Sequence, residues 1–236
     1  MTKLPFLSLL RHLPNLLTCL NLVCGCLGLL ALWRNEPGKV EYYMWAACIF
    51  DFFDGFAARL LKVSSPIGKD LDSLADMVTF GILPSFFMFW MIQQTGAPEP
   101  LTYVAFLIAV CSALRLAVFN NDATQSDSFR GVPTPANTLF IIGLPHAFAL
   151  FYPEGLSSVS PLLLVVIAVI FSILLISRFE LFALKFKSFG WADNRLRYTF
   201  LLLAGVLLVI LKQAAIPLII LLYIGLSLGS SMFSRK

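Results

Sequence analysis

Four aspartates fall at helical spacing between positions 51 and 76 of a chain that is otherwise strongly apolar. The segment reads Asp51-Phe52-Phe53-Asp54-Gly55-Phe56-Ala57-Ala58-Arg59, then eight residues, then Gly68-Lys69-Asp70-Leu71-Asp72-Ser73-Leu74-Ala75-Asp76. At about 100° per residue, Asp51 and Asp54 share one face of a helix, and Gly68, Asp72 and Asp76 line one face of another. Pro66 and the Ser64-Ser65 pair interrupt the pattern between them, so the two helices can fold back with their carboxylates converging. An ionised carboxylate at membrane depth costs on the order of 3 kcal/mol or more, so the cluster implies a function and a counter-charge.

The donors are all oxygen, and no histidine lies in the segment. Such a set favours Mg²⁺ or Mn²⁺, with Ca²⁺ also admissible. Gly55, Ala58 and Gly68 are small where a ligand or an opposing helix must approach the backbone. Arg59 offers a planar fork suited to phosphate. Two cations, small residues and a guanidinium together describe a site for a diphosphate. The competing explanation, charges that merely pin two helix ends at a membrane surface, requires neither this spacing nor these glycines.

The elements that must carry this site are membrane helices. The chain is 59% hydrophobic and 13% charged over 236 residues, with a mean hydropathy of +0.87. A soluble domain of that length could not cover so much apolar surface with so few charges. Apolar windows recur at 16–33, 41–60, 73–93, 101–119, 135–152, 160–177, 198–212 and 214–232. The expected fold is an all-α polytopic membrane protein of about eight spans, six at minimum, in one domain over residues 1–236. Leu4 to Leu10 are too few for a span and fit a short interfacial helix, without a signal-peptide cleavage site after them. The five cysteines, Cys19, Cys24, Cys26, Cys48 and Cys111, read as small core hydrophobes. Trp33, Trp45 and Trp90 read as interfacial aromatics.

Basic residues orient the chain. With a cytoplasmic amino terminus and eight spans, thirteen face the cytoplasm: Lys3, Arg11, Arg59, Lys62, Lys69, Arg130, Arg178, Lys185, Lys187, Arg195, Arg197, Arg235 and Lys236. Only Arg34, Lys39 and Lys212 face the other side, and Arg115 sits just inside a span. The positive-inside rule therefore puts the aspartates at the cytoplasmic ends of helices 2 and 3 of a cell-membrane protein, where nucleotides are. The net charge of +4 is a topology signal; a nucleic-acid partner would need a soluble basic surface. Two longer cytoplasmic loops, Asn120 to Pro133 and Ser177 to Arg197, are polar and basic respectively.

The string D-x-x-D-G-x-x-A-R-x8-G-x-x-x-D-x-x-x-D resembles, at every fixed position, the signature of the CDP-alcohol phosphotransferases (CDP-alcohol phosphatidyltransferases), integral membrane enzymes of phospholipid synthesis. Three further segments narrow the resemblance to the membrane-embedded phosphatidylserine synthase branch. They are Pro14-Asn15-x-x-Thr18-x-x-Asn21-x-x-x-Gly25, Asp76-x-Val78-x-Phe80-Gly81-x-x-Pro84, and Gly131-x-Pro133-Thr134-Pro135-Ala136. It covers roughly residues 13–137. Val118, where members often carry Arg or Lys, and Asn137, where small residues are usual, depart from the pattern.

That resemblance implies transfer of a phosphatidyl group from CDP-diacylglycerol to L-serine, with release of CMP, on two divalent cations. Asp51, Asp54 and Asp72 are the expected ligands. Asp76 is the expected general base and also a ligand. Gly55, Ala58, Arg59, Gly68, Lys69, Asn15 and Thr18 are expected to hold the CDP-lipid. Arg115, with Asn120 and Arg130, is expected to meet the serine carboxylate; Asp70 breaks the spacing and reads as a solvated charge. The resemblance also implies a homodimer. Alternatives are a family member with another acceptor (glycerol 3-phosphate, inositol phosphate), an ether-lipid serine transferase, and an ion-coupled transporter. The transporter would need midplane carboxylates and repeated halves.

Overall fold

The computed structural model describes residues 11–63, 65–121, 129–182 and 190–234. The expected interfacial helix at Leu4 to Leu10, the loop residues 122–128 and residues 183–189 of the basic loop lie outside the described residues. Prolines open many of the helices. Pro14 begins α1 (Leu13–Trp33), Pro37 begins α2 (Pro37–Leu61) and Pro66 begins α3 (Pro66–Asp76). In the first turn a missing N–H costs no hydrogen bond.

The chain does not break after α3. It passes through a π-helical segment (Met77–Ile82) into α4 (Leu83–Gln94). Pro84 has no N–H to offer the Phe80 carbonyl one turn back. Thr138 supplies the missing donor, its Oγ1 donating to Phe80 O at 3.0 Å. A wide turn of this kind commonly marks a functional site. Gly25 and Gly28 of α1 let the π segment and α4 approach closely, since an added Cβ would run into Thr79 Oγ1 at the first and meet Leu83 Cδ2 at 2.7 Å at the second. Between 66 and 94, 61% of the apolar window is buried, against 17–33% in the other three long apolar stretches, so this is the central helix. Phe80, Leu83, Phe87, Met88 and Met91 on it are fully buried.

α5 (Glu99–Thr102) and a 3-10 turn lead into α6 (Phe106–Asn121). A two-residue strand β1 (Phe129–Arg130) precedes α7 (Thr134–Ala149), and β2 (Glu180–Leu181) follows α8 (Pro161–Ile176). The strands pair antiparallel, Phe129 opposite Leu181 and Arg130 opposite Glu180. This ribbon, which the all-α expectation lacks, ties the start of α7 to the end of α8. Gly131 has φ +69, and an added Cβ would lie 2.8 Å from the carbonyl oxygens of Leu175 and Ser177. Only glycine fits that crossing.

α9 (Trp191–Leu211) and α10 (Ala215–Ser234) complete the described chain. Lys212 breaks the helix at φ 52, ψ −124, and the rings of Phe200 and Tyr223 lie 5.5 Å apart. The two helices are therefore a hairpin. Among the described residues four stretches are long and apolar enough to cross a membrane: Leu13–Trp33, Pro66–Gln94, Glu99–Asn121 and Asn194–Ser230. Large apolar side chains such as Leu202, Val209 and Ile210 are exposed on the outside, as lipid-facing surfaces require. The protein is an all-α membrane protein apart from its short ribbon.

Two cysteines depart from expectation: Cys19 and Cys26 are exposed on α1 rather than in the core. Trp90 packs on Phe87 with ring centroids 5.5 Å apart, one turn before the end of α4. At the end opposite the aspartates, His146 Nε2 meets Glu41 Oε1 at 2.6 Å, with Gln213 beside them.

Candidate active site

One stripe of α1 touches every other element of the site. Asn15 Oδ1 lies 3.1 Å from where a Cβ on Gly68 would stand. Thr18 Oγ1 donates to Asp54 Oδ2 at 2.7 Å. Asn21 Nδ2 donates to Asp76 Oδ1 at 3.4 Å, and the Asn21 carbonyl accepts from Thr79 Oγ1 at 3.2 Å. Polar residues at i, i+3 and i+6 thus pack helices and dress carboxylates at once.

The reversal between α2 and α3 is closed by both helix ends. Lys62 takes a left-handed conformation (φ 51, ψ 40), and Val63 N donates to Ala58 O at 3.0 Å. That stops α2 where glycine is the commoner residue, and the ammonium suits the negative end of the helix. Ser65 then caps α3, its Oγ accepting from Gly68 N at 2.9 Å.

The fold-back brings the carboxylates together. One oxygen each from Asp51, Asp72 and Asp76 lies within 4.8 Å of the others, so this trio could hold a metal ion. Asp54 stands beside them, 6% exposed. Among the described residues, no lysine or arginine forms an ion pair with the four aspartates, and Arg115 comes within Coulombic reach of Asp76 alone. Four crowded hard oxygen donors with so little protein counter-charge fit a divalent metal in both charge and chemistry.

Next to the carboxylates opens a cavity of about 790 Å³, lined by Asn15, Thr18, Asp54, Gly55, Ala58, Gly68, Lys69 and Asp72 among others. An added Cβ on Gly55 would meet only Arg59 Nη2 at 4.0 Å, so the space above it is free for a ligand. Arg59 itself is exposed and does not line the cavity. Arg11, His12, Lys62 and Ser65 do. In the sequence Arg11 and Lys62 count only toward the orientation of the chain; their closeness to the motif is the signal that marks them for the site. Lys69 Nζ donates to Asn120 O at 2.5 Å, and Asn120 Nδ2 donates to Ser73 Oγ at 2.7 Å. These two residues therefore tie α3 to the end of α6. Asp70 is exposed, as expected.

A family profile described as CDP-alcohol phosphatidyltransferase matches residues 11–174. The chain belongs to the CDP-alcohol phosphatidyltransferase family. Its motif resemblance over 13–137 thus underestimates the shared region by most of α7 and α8. The chain is 32% identical over 143 residues to the CDP-diacylglycerol–serine O-phosphatidyltransferase of Bacillus subtilis, covering 59% of this chain and 78% of that one. It is 36% identical to the protein of that name from Mycobacterium leprae, over 57% of this chain but only 47% of the relative. The Saccharomyces cerevisiae protein of that name is 28% identical over 65% of this chain and 64% of its own.

Within the matched region, Arg115 of this transferase is largely buried and within Coulombic reach of Asp76. Its Nε donates to Val132 O at 2.8 Å. No partner among the described residues takes its two terminal Nη groups, which leaves a fork for a carboxylate. Only the backbone of Arg130 is described, in β1; the role expected of its side chain lies outside the described part.

Proposed function

We propose that this protein transfers the phosphatidyl group of CDP-diacylglycerol to L-serine, releasing CMP at the cytoplasmic face of the cell membrane. The observation that carries the reading is the convergence of Asp51, Asp72 and Asp76 within 4.8 Å, beside a cavity that the motif residues line. The names of the relatives support the choice of serine. Asp51, Asp54, Asp72 and Asp76 would hold two divalent cations, Mg²⁺ or Mn²⁺, four carboxylates providing oxygens enough for both. Bound there, the metal supplies Lewis-acid neutralisation of the diphosphate and of the departing CMP phosphate.

The protein's own groups do the rest. Asn15, Thr18, Gly55, Ala58, Gly68 and Lys69 shape the cavity for the nucleotide, with Arg59 at its outer edge. The serine hydroxyl oxygen attacks the β-phosphorus, and Asp76 removes its proton. The bond from that phosphorus to the bridging oxygen breaks, and CMP leaves with the oxygen. Arg115 holds the serine carboxylate, with Asn120 and Arg130 as further candidate partners for the acceptor. Proximity lets a carboxylate, a weak base, serve here.

Purified protein given CDP-diacylglycerol, Mg²⁺ or Mn²⁺ and a panel of alcohols should release CMP far faster with L-serine than with glycerol 3-phosphate or inositol phosphate. A preference for a phosphorylated alcohol would move it to a sister branch.

We read the chain as crossing the membrane eight times, the α9–α10 hairpin adding two helices to the six before it. We read the assembly as a homodimer, on the family resemblance. With native cysteines removed, a cysteine at Asp70 should resist an impermeant thiol reagent outside intact cells, and one at Glu154 should label. The reverse pattern would overturn the orientation.

A further inference from the structure

Among the described residues, four buried polar atoms without a hydrogen-bond partner sit on three residues around the π segment that begins after Asp76: Asn21 Oδ1, Ser112 Oγ and both amide ends of Asn137. Asn21 bonds Thr79 through its carbonyl, Ser112 faces Gly81, and Thr138, next to Asn137, bonds Phe80. Asn21 alone among the three also touches a carboxylate of the site. Its side chain is fully buried, and its Nδ2 faces Asp76 Oδ1 at 3.4 Å. A carboxylate accepts and does not donate, so the amide nitrogen belongs on that side and the oxygen points away from it. A buried amide oxygen without a donor is costly, and a ligand that brings one removes the cost.

Resting on the serine reading above, the acceptor brings three groups. Its hydroxyl must reach Asp76 and its carboxylate the free fork of Arg115. Its ammonium then needs an oxygen, and it sits on the carbon next to the one that carries the hydroxyl. We propose that Asn21 recognises the acceptor's ammonium through Oδ1 while its Nδ2 positions Asp76. One carboxamide would thereby couple the choice of an amino alcohol to the placement of the group that removes its proton. The sequence motif contained Asn21, but its contact with Asp76 is visible only once α1 lies along α3.

The test compares L-serine with 3-hydroxypropanoate, the same molecule without its ammonium, by CMP release. Asn21→Ala should lower the ratio of their kcat/KM values about 10- to 100-fold, by reducing the value for serine. Its KM for CDP-diacylglycerol should stay unchanged. Asn21→Asp keeps an acceptor oxygen but loses the donor to Asp76. It should therefore keep the preference for serine while kcat falls for both acceptors. An unchanged ratio in Asn21→Ala overturns the proposal. Should that variant not fold, a collapse of the ratio in Asn21→Asp does so instead. A wild-type protein that ignores serine removes the function reading and this inference with it. Serine use with an unmoved ratio removes the inference alone.

Discussion

Asp76→Asn should lower kcat for CMP release by about two to four orders of magnitude, the usual contribution of a positioned general base. Its affinity for the CDP-lipid should stay within a few-fold of wild type. Asp51→Asn, Asp54→Asn and Asp72→Asn should behave differently. Each removes an anionic donor oxygen from the cluster that would hold the cation, so each should weaken metal binding and metal-dependent CDP-lipid binding. Titrating Mn²⁺ and then CDP-diacylglycerol into each variant separates the two classes. If Asp76→Asn abolishes CDP-lipid binding as fully as Asp54→Asn does, Asp76 is a ligand first and the assignment of the base is wrong. Asp70→Asn is the internal control. That carboxylate is exposed and off the converging face, so activity should barely change.

Much of the fold could be read directly because a bilayer permits few solutions. Apolar windows of spanning length must be helices, and each of the eight windows coincides with helical structure in the described residues. The reversal at residues 62–65 was legible too, from Pro66 and its preceding serines. What escaped were features made by tertiary contact. The π segment depends on Pro84 freeing the Phe80 carbonyl and on Thr138, 58 residues away, accepting the task of satisfying it. The β1–β2 ribbon depends on Gly131 meeting the end of α8, and two-residue strands carry no periodicity to detect.

The site divides along the same line. Carboxylates on two helices joined by a short turn converge because local geometry leaves little choice, and their spacing alone announces it. Thr18 and Asn21 could be singled out as polar residues on one stripe, yet only packing reveals which aspartate each one meets. Lys69 and Asn120 illustrate the opposite difficulty. Both carry groups suited to substrate, and both also hold α3 against the end of α6. Side-chain chemistry marks what a residue can bind, whereas the neighbouring helix decides what it does bind.

Arg115 is where that decision has the largest measurable consequence for the acceptor. Its Nε is committed to the Val132 carbonyl at 2.8 Å, a contact that restrains the guanidinium and leaves the Nη pair without a hydrogen-bond partner among the described residues. Val132 is itself held, its N–H donating to Leu174 O at 3.1 Å, so the fork rests on the short link between β1 and α7 where it meets α8. A preorganised, largely desolvated fork suits a single carboxylate. Arg115→Ala should raise the KM for serine by about two orders of magnitude, the value of roughly 2–3 kcal/mol for a lost charge-assisted contact. The KM for CDP-diacylglycerol should move much less. Arg115→Lys should recover only part of the loss, because an ammonium keeps the charge but not the fork. Equal increases in both KM values would mean that Arg115 supports the site as a whole, and the serine carboxylate would then have to be held elsewhere.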